Sequence, residues 1–186
     1  MKLPVAALTV AVLTACPGPT CPEPFYDGKA SDEAWRTLAD GEARAKQDDA
    51  KAVKLFAPTE GASFSGASAP TFNWTTPLTA AARSPAQRPA ILSQLGALLY
   101  GTAWAHLPPV TGPAHLLRIS VPGRTCAIEV VTTKNEWIPN TGAWTQLQGT
   151  AGQSLSLDVY SAYLQENRIS EGPFHFTKPL KFAVSK

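Results

Sequence analysis

The apolar and polar positions of this chain change their rhythm three times. Leu3 to Val12 is an almost unbroken apolar stretch of about ten residues behind Lys2, too short to span a bilayer, which takes about 20 apolar residues. Its shape is that of a secretory signal, assigned to residues 1–15. Residues 16–30 have no period and are rich in proline, which predicts a tether. At Ser31 a helical period begins. Ser31 can cap, Asp32 and Glu33 suit the positive end of a helix dipole, and Trp35, Leu38 and Ala39 share one face. The helix is expected to run to about Asp49, although Gly41 weakens it. Its narrow apolar stripe predicts a solvated spacer over 31–53, docked mainly by Trp35.

From Lys54 the period becomes two. An apolar strand leads to Pro58…Gly61, followed by a strand with Phe72 and Trp74 on one face. "HLLRISV" alternates Leu117, Ile119 and Val121; "TCAIEVVTT" alternates Cys126, Ile128 and Val130. "SLSLDVYSAY" alternates Leu155, Leu157 and Val159, and "PLKFAV" alternates Leu180, Phe182 and Val184. Short alternating strands separated by turn signals predict a β-sandwich over 54–186. Residues 78–114 interrupt it as a long insertion. Within it, Ile91 to about Ala105 reads as an apolar helix carrying Leu95, Leu98, Leu99 and Trp104, stopped by Pro108 and Pro109. Such a helix must bury its surface, either by capping an open end of the sandwich or by meeting a partner or lipid.

"LTAC", residues 13–16, directly follows the apolar stretch and resembles the lipobox of bacterial lipoproteins. The resemblance implies that the Cys16 thiol takes a diacylglyceryl group and that Cys16 becomes the mature N-terminus. Pro17 stands where some inner-membrane lipoproteins carry aspartate, which favours the outer membrane. Cys21 and Cys126 then remain, an even number in an exported chain. Either they form a disulfide, or Cys126 is a small buried hydrophobe in step with Ile128 and Val130. Residues 54–185 resemble the fibronectin type III or immunoglobulin-like sandwiches of bacterial envelope proteins. The resemblance rests on Pro58…Gly61, Pro70-Thr-Phe-Asn-Trp74, the "LLRIS" strand, Thr133…Trp137-Ile-Pro139, Trp144…Leu147, "LSLDV" and "FAV". It implies a mainly β sandwich in which Trp74 packs the core. The corner tyrosine of that family is missing, with Leu155 near its place.

Composition narrows the chemistry. Of 186 residues 44% are hydrophobic and 16% charged, which suits a folded chain. A formal charge of +2 without a basic run argues against a nucleic-acid partner. No GxSxG elbow, P-loop or GxGxxG occurs, and only six carboxylates follow Lys54, so no catalytic residue, enzyme activity or cofactor is expected. His106 and His115 flank "LPPVTGPA" and are the weak candidates for a metal, with His175 the third histidine; HExxH and CxxC are both missing. Trp137 and Trp144, with Trp104, are the candidate ligand-binding aromatics, since exposed rings at a sandwich rim stack on sugars. The bland alternative is that they fill its ends. The expectation is a lipid-anchored, non-catalytic binding or structural module of the cell envelope. Its partners would be the membrane, through the lipid, and an envelope protein or polysaccharide, with a carbohydrate-binding or adhesive module as the alternative.

Overall fold

A computed structural model describes residues 21–79 and 107–186. The signal segment, Cys16, the expected insertion helix, Trp104 and His106 lie outside the described residues. The elements in chain order begin with β1 (Phe25–Asp27), α1 (Asp32–Glu42), β2 (Lys46–Gln47), β3 (Lys54–Ala57), β4 (Ala62–Ser65) and β5 (Phe72–Thr75). They continue with β6 (Gly112–Ser120), β7 (Ile128–Thr132), β8 (Glu136–Trp137) and α2 (Thr141–Gln148). β9 (Ser154–Gln165), β10 (Arg168–His175) and β11 (Leu180–Ser185) complete the chain. The protein is mainly β, with an eight-stranded sheet against a three-stranded one.

The large sheet is assembled on β9. Nine residue pairs, from Gly112↔Leu164 to Ser120↔Ser156, join β6 to one edge of β9. Its other edge is shared, with β11 beside the first half and β10 beside the second. β7 and then β1 extend the sheet beyond β6; β2 borders β10, and β4 borders β11. Three of these joints are parallel pairs of an early strand with a distant one: β1 with β7, β2 with β10 and β4 with β11. Gly172 allows β10 to bulge, at φ +87°, and a Cβ there would come within 2.8 Å of the Ser161 carbonyl oxygen.

Alternation sends Leu117, Ile119, Ile128, Val130, Leu155, Leu157 and Val159 towards the small sheet, β3-β5-β8. There they meet Phe72, Trp74 and Trp137, with Ala143 and Leu147 of α2 completing this core. Phe72 is its aromatic centre, with ring centroids 5.0 Å from Trp137, 5.6 Å from Phe182 and 6.1 Å from Phe64. The opposite face of the large sheet is also covered. Ala114, Leu116, Val131, Tyr160, Ala162 and Leu164 point there and bury Ala34 and Leu38 of α1.

Several expectations are therefore corrected. The tether does not extend to residue 30: Cys21 is bonded to Cys126, Pro24 is buried, and Phe25–Asp27 form a sheet strand. The helix stops at Glu42, far short of Asp49, because Lys46–Gln47 leave it to pair with Phe174–His175. Nor is it a solvated spacer. Ser31 caps it by accepting from the Ala34 N–H at 3.2 Å, and its face of Ala34, Leu38 and Gly41 is buried. Gly41, a poor helix former, permits close approach: a Cβ would lie 2.8 Å from Ile169 Cδ1 and 3.2 Å from Pro173 Cγ. The domain thus includes the chain from Cys21 on and does not start at Lys54, and the expected insertion ends earlier than 114, since β6 starts at Gly112.

Replacing Leu38, fully buried beneath α1, tests whether this layer is core. Leu38→Ala is expected to lower the unfolding free energy by about 2–5 kcal/mol in urea titration, whereas a spacer helix would leave it within about 0.5 kcal/mol.

Candidate functional site

The outer face of the large sheet turns polar beyond the last turn of α1. Arg118 of β6 lies in register with Glu129 of β7 on one side and Asp158 of β9 on the other. All three share the parity that faces α1. The guanidinium of Arg118 pairs with the Glu42 carboxylate at the end of the helix, and its second terminal nitrogen lies 3.5 Å from Glu129. Glu129 also accepts the Trp35 indole N–H at 3.0 Å. Trp35 and Glu42, one and three turns along α1, are thus tied to the sheet through one strand row. Asp158 lies 3.2 Å from Nδ1 of His175, and the His175 ring stacks on Tyr160 at 5.0 Å between centroids. Burial, with the Asp158 and Glu42 carboxylates nearby, pushes the Tyr160 phenol well above its ordinary value, so it stays protonated.

These side chains border an open groove of 290 Å³ lined by Glu42, Arg118, Arg124, Thr125, Asp158 and Tyr160. It is small beside ordinary ligand pockets, which begin near 300 Å³. Glu42 and Glu129 both face Arg118, and Asp158 faces His175, so each carboxylate of the row has a nitrogen partner although the carboxylates outnumber the one guanidinium. The arrangement locks helix to sheet, and Arg124, in the turn from β6 to β7, is an exposed cation at its border.

Between the sheets, the row nearest the β9–β10 turn is polar too. His115 is fully buried, with Thr132 and Ser161 opposite it on the neighbouring strands and likewise buried. Its Nδ1 lies 2.8 Å from Ser161 Oγ, and its ring meets Trp74 edge-on at 5.5 Å. Burial lowers its pKa to about 4, against a smaller opposing contribution from the Asn135 side chain.

The sequence-derived candidates fall as follows. Cys21 and Cys126 form a disulfide with Cα atoms 5.4 Å apart, closing a separation of 105 residues. His115 lies in the inner core and His175 on the outer face, so the structure does not join them, and no group of three or more metal-ligating side chains occurs among the described residues. Trp137 is corrected outright. It is 3% exposed and packs on Phe72, which leaves no ring for a sugar. Trp144 is partly buried against the same core from α2. Trp137 and Trp144 do not form an exposed platform at the rim, because Thr141–Gln148 form a helix packed on the core. Asn140 caps it, accepting from the Ala143 N–H at 2.9 Å, and Ala143 and Leu147 seal its inner side. Sequence reasoning missed the Glu42–Arg118–Glu129 and Asp158–His175 set. Its available signal was the charge at the outward parity of three successive strands.

No protein-family model matches this chain, and neither the curated proteins nor the solved structures contain a match to it.

The buried His115 makes stability depend on pH. The unfolded chain binds a proton below pH 6.5, whereas the folded site resists protonation until about pH 4. Stability is therefore full above pH 6.5 and falls as pH drops towards 4, by on the order of 3 kcal/mol. His115→Asn, which can still reach Ser161, lacks this dependence. Urea unfolding of both proteins at pH 7.5 and pH 4.5 is expected to show the larger loss in the wild type; equal losses would remove His115 as the cause.

Proposed function

We propose that this chain is an exported, lipid-anchored module of a bacterial cell envelope, held by acylated Cys16 in the outer membrane rather than the inner. It binds or braces other envelope components and does no chemistry of its own. The observation that carries the reading is the Cys21–Cys126 disulfide, five residues beyond the "LTAC" cysteine. Such a bond persists in an oxidising compartment, as an exported domain would meet, and it accounts for the two cysteines that lipidation leaves. In the chain-entropy model a loop of this size contributes on the order of 4 kcal/mol. The closed charge pairing of the groove supports a binding or bracing role, since each of its carboxylates faces a cationic or basic side chain within the site.

The domain is read here as an immunoglobulin-like or fibronectin type III sandwich. What supports this is strand order. β3, β5 and β8 share one sheet while β6, β9 and β11 share the other, with β7 added beside β6. This division matches the A, B and E strands against C, F and G, with a C′ strand as in variable-type domains. The buried Trp74 on β5 agrees with it. The terminal strands β1 and β2, the α1 layer and the β10 hairpin are then additions to that frame. Folds of this kind serve many roles, so the choice of partner rests on surface chemistry rather than on architecture.

Production of the full chain in a lipoprotein-processing bacterium tests the reading. The mature protein is expected to begin at an acylated Cys16, seen by intact mass, and to sediment with membranes, while Cys16→Ala is expected to lose the acyl mass and the membrane association. A wild-type protein with an unmodified Cys16 thiol would refute lipid anchoring.

A further inference from the structure

We infer that the disulfide-bearing end of the sandwich is the face seated on the bilayer, with the opposite end turned away from it. The inference deepens, and rests on, lipid anchoring at Cys16. Strand directions define the two ends. β9 rises from Ser154 to Gln165; β6 descends beside it to Ser120, and β7 rises again from Ile128. The turn from β6 to β7 (residues 121–127), the start of β9 and the end of β11 therefore share one end. Cys126 belongs to that turn, and β1, parallel to β7, brings Cys21 to the same place. At the other end lie the β9–β10 turn, residues 133–135, and the points where the chain leaves β5 and enters β6.

The reach of the chain from Cys16 sets the distance. Cys21 is fixed to the sheet by its disulfide, so only five Cα–Cα steps separate the acylated residue from the domain. Fully extended, these span at most about 18 Å. The twelve residues of β9 extend about 40 Å, so the sandwich is longer than its leash. The loops at the two ends differ in how many charged side chains they carry. Residues 65–68, 122–125 and 149–153, at or beside the disulfide end, contain Arg124 and no acidic side chain, and Arg124 is within 3.5 Å of the Gly149 carbonyl oxygen, which joins two of these loops. Glu23, two residues past Cys21, adds one carboxylate there. At the far end the turns carry Glu136 and Glu166 as well as Lys134 and Arg168. Formal charge does not separate the two ends, since Glu23 offsets Arg124 and the two acids of the far end offset its two bases, so the seating rests on the reach of the chain.

The partner of the disulfide end is thus the lipid surface that holds the acyl chains, and the groove bordered by Arg124 and Thr125 opens beside it. The far end, with the β9–β10 turn and residues 133–135, is presented to the surroundings.

The test uses the full acylated chain in vesicles of phosphatidylethanolamine and phosphatidylglycerol doped with a nickel-chelating lipid. A nitroxide is placed at Gln153→Cys, at the disulfide end, or at Arg168→Cys, at the start of β10; both positions are exposed. Intact mass first establishes acylation of Cys16. Strong relaxation enhancement at Gln153, lost at Arg168, is the expected result. Equal enhancement at both positions means that the domain lies on its side and overturns the inference while leaving the anchor intact; stronger enhancement at Arg168 overturns it as well. An unacylated Cys16 removes the anchoring and the inference together.

Discussion

Everything in this domain depends on β9, the strand that β6, β10 and β11 all pair with. β6 runs along one edge, while on the other β11 borders residues 154–157 and β10 borders residues 161–165; between them the Val159 N–H is accepted by the Asp158 carboxylate at 2.9 Å. β9 also fixes the register of both faces at once. The inner residues Leu155, Leu157 and Val159 commit the strand to the small sheet, and the outer residues Tyr160, Ala162 and Leu164 commit it to α1. A slip of one residue would exchange these faces, so each layer holds the other in place. The polar groups that enter the interior do so at defined points of this register. His115 and Ser161 meet across β6 and β9, while Arg118 and Asp158 face outward three residues lower.

Much of the sandwich was legible in the chain because its inner face obeys period two. The inward residues of β5, β6, β7, β9 and β11 are the ones that alternation identifies, and Trp74 is buried as its strand position implies. The second layer was harder to read, although a sign of it was present. Leu116-Leu117 and Val130-Val131 are apolar doublets within alternating strands, and a doublet means that both faces are buried. Such a sheet needs a cover, and α1 was available to supply it. Its narrow stripe suggested a spacer only because small residues do the packing: Ala34 and Gly41 bring the helix so close that few large side chains fit between.

The remaining errors have local causes. β1, β2 and β8 are two or three residues long and owe their existence to distant partners, so no local pattern announces them. α2 contains Thr141, Gly142 and Trp144, all modest or poor helix formers, and is held by the Asn140 cap and by Ala143 and Leu147 rather than by propensity. Of the two readings of Trp137 and Trp144, filling the end of the sandwich is the one found, because β8 and this helix turn the rings inward. The charged row around Arg118 was invisible one strand at a time. It becomes a site only when three strands and the end of a helix are brought into register.

The parallel joints have a consequence for how the chain acquires its shape. Phe25 needs Val130, Lys46 needs Phe174, and Ala62 needs Phe182. Apart from the β3–β5 pair, the early strands therefore have no partner near them in the chain, and β1, β2 and β4 must wait until β7, β10 and β11 have arrived. Contacts of such long sequence separation place folding in the millisecond-to-second range rather than the microsecond range. A chain delivered from its N-terminus would spend that interval with β1, β2 and β4 as unpaired edges, open to any protein that shelters nascent strands. Completion is signalled by the last strand to be made: until β11 docks between β9 and β4, the sandwich has an open side.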